Sequence, residues 1–134
     1  MNAQLSPTVV KPTIPPRPAI LIVEDELILA KDLQRTLIDL GYDAYAIASS
    51  AEAAVKHAGE RRPDLVMMDI RIKGPLDGIQ TAVILKRQFS TAIIYLTAHA
   101  DEAMIERAKE TEPCGYMLKP VNASGLLSTT DAPW

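Results

Sequence analysis

The chain is poor in the residues that many small folds rely on. Among 134 residues there is one cysteine, one phenylalanine and one tryptophan, and aromatics total 4%. A single thiol, Cys114, excludes an internal disulfide framework and fits a reducing compartment. With so few rings the core must be aliphatic. Basic residues are not in excess either. Fourteen Lys and Arg face seventeen Asp and Glu, for a net charge of −3. That balance offers no cationic face to a phosphate backbone and argues against a nucleic-acid partner. No apolar run approaches the ~18–20 residues that span a bilayer, so no membrane association is expected. The N-terminus lacks the basic-then-apolar layout of a signal peptide. The expectation is one cytoplasmic domain, since ~100–150 residues is the commonest domain size.

What is present is unevenly distributed. Pro7, Pro12, Pro15, Pro16 and Pro18 hold half of the ten prolines. Each removes a backbone donor and restricts its neighbour, which excludes a helix or a central strand. Residues 1–18 therefore read as an extended, flexible tail, with a docking peptide for an aromatic groove as the alternative.

From Ala19 onward, short apolar runs alternate with segments of helical period. Ala19 to Val23 is a continuous aliphatic run, as expected of a parallel strand buried on both faces. Leu27 to Leu40 follows, with Leu29, Leu33, Leu37 and Leu40 spaced as one helical face and Gly41 at its end. Asp43 to Ala48 predicts a second strand. Ser49-Ser50-Ala51-Glu52 reads as a capping box opening a helix that stops before Pro63. Leu65 to Met68 and Ala92 to Leu96 are further strands, separated by a helix over Gly78 to Gln88. Asp101 caps a helix carrying Ala103, Met104, Ile105 and Ala108, and Gly115 to Leu118 is a short fifth strand. Strands alternating with helices predict an α/β fold: a doubly wound, five-stranded parallel sheet with helices on both faces. After Pro120, only two turns of a short last helix around Leu126 and Leu127 are expected. The domain then covers 19–130, with 131–134 as a C-terminal tail.

Ligands of open parallel sheets bind beyond the carboxyl ends of the strands. The first strand ends in Glu24-Asp25-Glu26, the third in Asp69, the fourth in Thr97 and the fifth in Lys119-Pro120. Crowded carboxylates repel one another, and a hard divalent cation such as Mg²⁺ relieves that repulsion while leaving positions for phosphoryl oxygens. A carboxylate can also be the nucleophile and form an aspartyl phosphate. Lys119 is a compact charge for one phosphoryl oxygen, and the Thr97 hydroxyl suits another.

At this point the chain resembles the receiver domain of bacterial two-component response regulators, the CheY-like superfamily. The matching text is Ile20-Leu21-Ile22-Val23-Glu24-Asp25-Glu26, Asp64-Leu65-Val66-Met67-Met68-Asp69, Asp77-Gly78-Ile79, Leu96-Thr97-Ala98 and Gly115-Tyr116-Met117-Leu118-Lys119-Pro120. The resemblance covers about Ala19 to Leu127. It implies a flavodoxin-like strand order of 2-1-3-4-5.

Residue by residue, it implies Asp69 as the phosphoacceptor and Glu24, Asp25, Asp69 and the backbone carbonyl of Arg71 as the Mg²⁺ site. Thr97 and Lys119 would contact the phosphoryl group. Tyr116 would be the aromatic switch that turns inward when Thr97 moves toward the phosphate. His99 and Arg71 would tune water access at the rim, and the Lys119–Pro120 bond would be cis. The loop from Asp69 to Asp77 is one residue longer than in the short-loop members and resembles a subgroup often joined to sensor-kinase or PAS modules.

The implied function is a signalling phosphoacceptor, not an enzyme beyond Mg²⁺-dependent self-phosphorylation and autodephosphorylation. The implied partners are a sensor histidine kinase or phosphotransfer protein, and downstream a protein partner or a covalently linked output module. The alternative is a phosphorylation-independent interaction module of the same fold. A metal-dependent phosphohydrolase would need a second acid/base beside the nucleophile, and none follows Asp69 directly.

Overall fold

The computed structural model describes residues 17–98 and 102–121. The elements run β1 (Ala19–Val23), α1 (Leu27–Asp39), β2 (Asp43–Ala48), α2 (Ala51–Glu60), β3 (Leu65–Asp69), α3 (Gly78–Phe89), β4 (Ala92–Thr97), α4 (Glu102–Lys109) and β5 (Gly115–Leu118). All strand pairs are parallel, and the sheet order is β2-β1-β3-β4-β5. The doubly wound fold read from the sequence is the one found. Residues 1–16, His99, Asp101, the short last helix and the 131–134 tail lie outside the described residues.

The aliphatic runs form strands because both of their faces are covered. Leu21, Val23, Val66, Met68, Ile93 and Tyr95 point into one core, with Ala54 and Ala58 of α2, Ile79, Ala82 and Leu85 of α3, and Ala108 of α4. The alternate residues Ile20, Ile22, Leu65, Met67, Ile94 and Leu96 pack with Ala30, Leu33 and Leu37 of α1 in the other. A strand with period-2 side chains and two covered faces has no polar position to spare. Each fully buried aliphatic side chain contributes roughly 1.5–3 kcal/mol.

Two local expectations are corrected. Leu29 is 39% exposed, and the buried stripe of α1 is Ala30, Leu33 and Leu37. A 3.6-residue period centres Ala30 three positions before Leu33, which leaves Leu29 at the edge of the stripe. The N-cap of α2 is Ser50, not Ser49: the Ser50 hydroxyl accepts from the Ala53 N–H at 3.2 Å. Glu52 then falls in the first turn, where its charge suits the macrodipole but no capping box closes. The reciprocal box lies instead at the start of α3. There Asp77 Oδ1 accepts from the Gln80 N–H, and Gln80 Oε1 accepts from the Asp77 N–H, both at 2.9 Å.

The register sets where the strands end. Asp69 pairs with Leu96 and Thr97 with Leu118. Backbone bonds carry the ladder one step beyond the strands. Glu24 N–H donates to Ala48 O at 2.9 Å, Ile70 N–H to Leu96 O at 3.1 Å, and Lys119 N–H to Thr97 O at 2.9 Å. The tips of β1, β3, β4 and β5 are therefore held level along one edge. No helix among the described residues is long and apolar enough to cross a membrane.

Candidate functional site

Three carboxylates stand on this edge. Glu24 follows β1 directly and is 2% exposed, Asp25 is half-buried, and Asp69 closes β3 at 3% exposed. One oxygen from each lies within 4.8 Å of the others. Lys119, one residue past β5, reaches across β4 to them. Its Nζ is 3.1 Å from Glu24 Oε1 and 3.1 Å from Asp69 Oδ2. The Lys119–Pro120 peptide bond is cis.

Backbone donors fix the remaining oxygens. Glu24 Oε2 accepts from the Glu26 N–H at 3.1 Å, and Asp69 Oδ1 accepts from the Arg71 N–H at 3.0 Å. Asp25 Oδ2 accepts from the Lys73 N–H at 3.1 Å. The loop after β3 thus orients two of the three acids, one that closes its own strand and one just beyond the end of β1. Gly74, with φ of +116°, supplies the left-handed turn this loop contains. Asp25, Glu26, Asp69, Ile70, Arg71, Lys73, Ala98 and Lys119 line an open cleft over the edge.

The electrostatics follow from burial. Burial pushes the Glu24 carboxyl up to about 7; the Glu26 N–H works in the opposite direction, and the Asp69 charge adds to the rise. Burial also opposes the charge on Lys119. Its bonds to Glu24 and Asp69 outweigh that burial and hold its ammonium above the ordinary value.

The hard, oxygen-only donor set suits Mg²⁺, which favours one or two carboxylates plus water and phosphoryl oxygens. Glu24, Asp25 and Asp69 fit that ion by donor chemistry and spacing.

The other residues singled out in the sequence are placed as follows. Thr97 ends β4 beside this group, 2% exposed, with its hydroxyl donating to Ala98 O at 3.1 Å. Arg71 lines the cleft with an exposed side chain. Tyr116 is set back from the carboxylates, its phenol near Lys109 and Glu106 of α4. Its ring stacks on Tyr95 at 6.0 Å, and its hydroxyl is buried with no hydrogen-bond partner among the described residues. Such a hydroxyl costs about 1–3 kcal/mol, and an aromatic pair offsets about 0.5–1.5 kcal/mol of that. His99 lies outside the described residues.

Sequence reasoning missed the backbone donors of Glu26 and Lys73, because peptide N–H groups carry no residue signature. It also missed Tyr95, whose relation to Tyr116 exists only once β4 and β5 are in register.

The family model described as the response regulator receiver domain matches residues 20–131. The chain belongs to that family. Receiver domains of this kind are signalling domains of two-component systems, and the alternating β/α arrangement here is theirs.

Among similar proteins, the transcriptional regulatory protein PdtaR of Mycobacterium tuberculosis is 33% identical over 108 residues, covering 81% of this chain and 52% of PdtaR. The positive alginate biosynthesis regulatory protein of Pseudomonas aeruginosa is 38% identical over 112 residues, covering 80% of this chain and 43% of its own length. The chain therefore spans about half the length of the curated relatives it matches.

Among solved structures, the signal receiver domain of a modulated diguanylate cyclase from Desulfovibrio desulfuricans G20 superposes with a TM-score of 0.81 at 38% identity. That match covers 87% of this chain and 92% of the other. The N-terminal domain of a response regulator/sensory box/GGDEF three-domain protein from Carboxydothermus hydrogenoformans matches with a TM-score of 0.76 at 35% identity, covering 84% and 90% of the two chains.

Proposed function

We propose that this receiver domain accepts a phosphoryl group on Asp69, with Mg²⁺ held by Glu24, Asp25, Asp69 and the Arg71 carbonyl. The observation that carries the reading is Lys119 bridging Glu24 and Asp69 at 3.1 Å each, with Asp25 beside them. A half-buried lysine between two strand-end acids places a cation where the equatorial oxygens of a phosphoryl group would otherwise meet only negative charge.

In the proposed step an Asp69 carboxylate oxygen forms a new O–P bond as the bond from phosphorus to the donor's leaving atom breaks. The leaving group departs with that electron pair. Mg²⁺, when bound, neutralises charge on the phosphoryl oxygens and on the acids that approach them. The Arg71 N–H steadies Asp69 Oδ1, and the Lys119 ammonium is in place to follow the charge onto the transferred group. The Thr97 hydroxyl, now directed to Ala98 O, becomes a donor to a phosphoryl oxygen by rotating about χ1. The donor in a two-component system would be a histidine kinase or a phosphotransfer protein. Tyr116 responds to Thr97 and passes the change to the face built from α4 and β5. The output then falls to a protein partner or a linked module.

The test is mass spectrometry after incubation with acetyl phosphate and Mg²⁺. The expected result is a gain of one acid-labile phosphoryl group in the parent chain and none in Asp69→Asn. An unchanged gain in Asp69→Asn, or no gain in the parent chain, refutes the assignment.

A further inference from the structure

Tyr95 and Tyr116 face each other across the β4–β5 ladder, their rings 6.0 Å apart and inclined by 26°. Their hydroxyls have opposite fates. Tyr95 is completely buried, and its hydroxyl lies 2.7 Å from Thr111 Oγ1. Thr111 Oγ1 donates its own proton to Ala108 O at 2.7 Å, so Tyr95 is the donor in the tyrosine–threonine bond. Lys86 of α3 fixes the same corner, its ammonium donating to Thr111 O at 2.5 Å and Glu112 O at 3.0 Å. Tyr95 is thereby anchored to the end of α4. Tyr116 has no such anchor: its hydroxyl is out of water and without a partner among the described residues. An unsatisfied buried hydroxyl disfavours the arrangement that buries it, and the stack on Tyr95 acts in the other direction.

We propose that Tyr95 is a positioning residue for Tyr116: anchored through Thr111, its ring holds Tyr116 in the stacked arrangement with its hydroxyl buried and sets how much ligation of Asp69 is needed to move it. The role rests on the reading of Asp69 as phosphoacceptor and Tyr116 as switch. Tyr95 lies two residues before Thr97 on β4, so the two side chains share a face of the sheet. One strand therefore carries both the group that answers the phosphoryl and the ring that restrains the responder. Loss of an aromatic contact of this kind corresponds to about two- to tenfold in an equilibrium constant.

The experiment uses the full chain with its four tyrosines replaced by 3-fluorotyrosine, observed by ¹⁹F NMR and titrated with beryllofluoride in Mg²⁺. The Tyr116 resonance is assigned by its loss in Tyr116→Phe. The expected result is a midpoint for the Tyr116 shift about two- to tenfold lower in Tyr95→Leu than in the parent chain. Thr111→Val, which keeps both rings, lowers it in the same direction, and Tyr95→Phe with Thr111→Val lowers it no further than Thr111→Val alone. Should Tyr95→Leu fail to fold by circular dichroism, the two variants that lose single oxygen atoms decide the matter. Midpoints unchanged in folded Thr111→Val and Tyr95→Phe overturn the positioning role while Tyr116 still responds. A Tyr116 resonance that stays fixed while Asp69 takes up its phosphoryl group overturns the switch reading instead, and the positioning role with it.

Discussion

Gly78 stands so close to the end of β3 that a Cβ on it would meet the Asp69 carbonyl oxygen at 2.1 Å and Ile70 Cα at 2.9 Å. Its N–H also donates to Ile70 O at 3.2 Å, so the first residue of α3 is fastened to the backbone directly behind the proposed phosphoacceptor. The requirement is steric, since backbone atoms cannot move aside as a flexible side chain would.

Gly78→Ala should therefore push α3 away from β3 and destabilise the fold by about 1–3 kcal/mol, the usual cost of forcing a methyl into a filled space. Urea unfolding gives that number directly. Phosphoryl uptake by Asp69 should slow in the same variant under conditions where it remains folded. A variant with parental stability and parental uptake would mean that the close approach is not maintained in solution.

How much of this was legible beforehand depended on the reach of the interaction. The strands were readable because Ile20 to Val23 and Leu65 to Met68 are buried on both faces, which leaves unbroken aliphatic runs in the sequence. The tips were readable because parallel strands deliver their final residues to one edge, so Glu24, Asp69 and Lys119 could be placed together without a contact map. Choices between adjacent residues were less secure. Ser49 and Ser50 both precede α2, and the spacing to Glu52 favours Ser49, yet the hydroxyl in range of the Ala53 N–H belongs to Ser50. Relations that need register or loop path were not legible. Lys73 reaches Asp25 through a peptide N–H, and Tyr95 meets Tyr116 only because β4 and β5 align as they do.

Glu24 should make stability depend on pH. Its carboxyl is raised from 4.5 to about 7, first by burial, so between those values the folded chain holds a proton that the unfolded chain releases. Stability contributed by that proton is present below pH 4.5, declines as pH rises toward 7, and is gone above it. Lys119 does not mask the trend, because its value is raised from 10.5 and its contribution is lost only at higher pH. Glu24→Gln cannot ionise. In buffer with a chelator it should match the parent chain near pH 5 and exceed it by about 1–3 kcal/mol near pH 8, at ~1.4 kcal/mol per pKa unit. Added Mg²⁺ should narrow the gap by stabilising the parent chain more than the variant. Parallel stability profiles from pH 5 to 8 would contradict the raised carboxyl.

Asp77 joins two jobs at the start of α3. Its Oδ1 accepts from the Gln80 N–H in the capping box, and its Oδ2 meets Arg107 Nη1 of α4 at 3.1 Å. The ion pair is partly exposed, so its own contribution is small, within about 0–1 kcal/mol. The cap is the larger effect, at about 0.5–2 kcal/mol. Asp77→Ala should lose both, whereas Arg107→Ala should lose only the tie between the helices. Urea unfolding should therefore rank Asp77→Ala below Arg107→Ala by roughly the value of a cap. Hydrogen exchange separates the two jobs further. Amides in the first turn of α3 should exchange faster in Asp77→Ala alone, and amides of α4 should exchange faster in both variants, because each releases α4 from the N-terminus of α3. If Arg107→Ala left α4 exchange untouched, the pair at 3.1 Å would be a contact without consequence for the position of that helix.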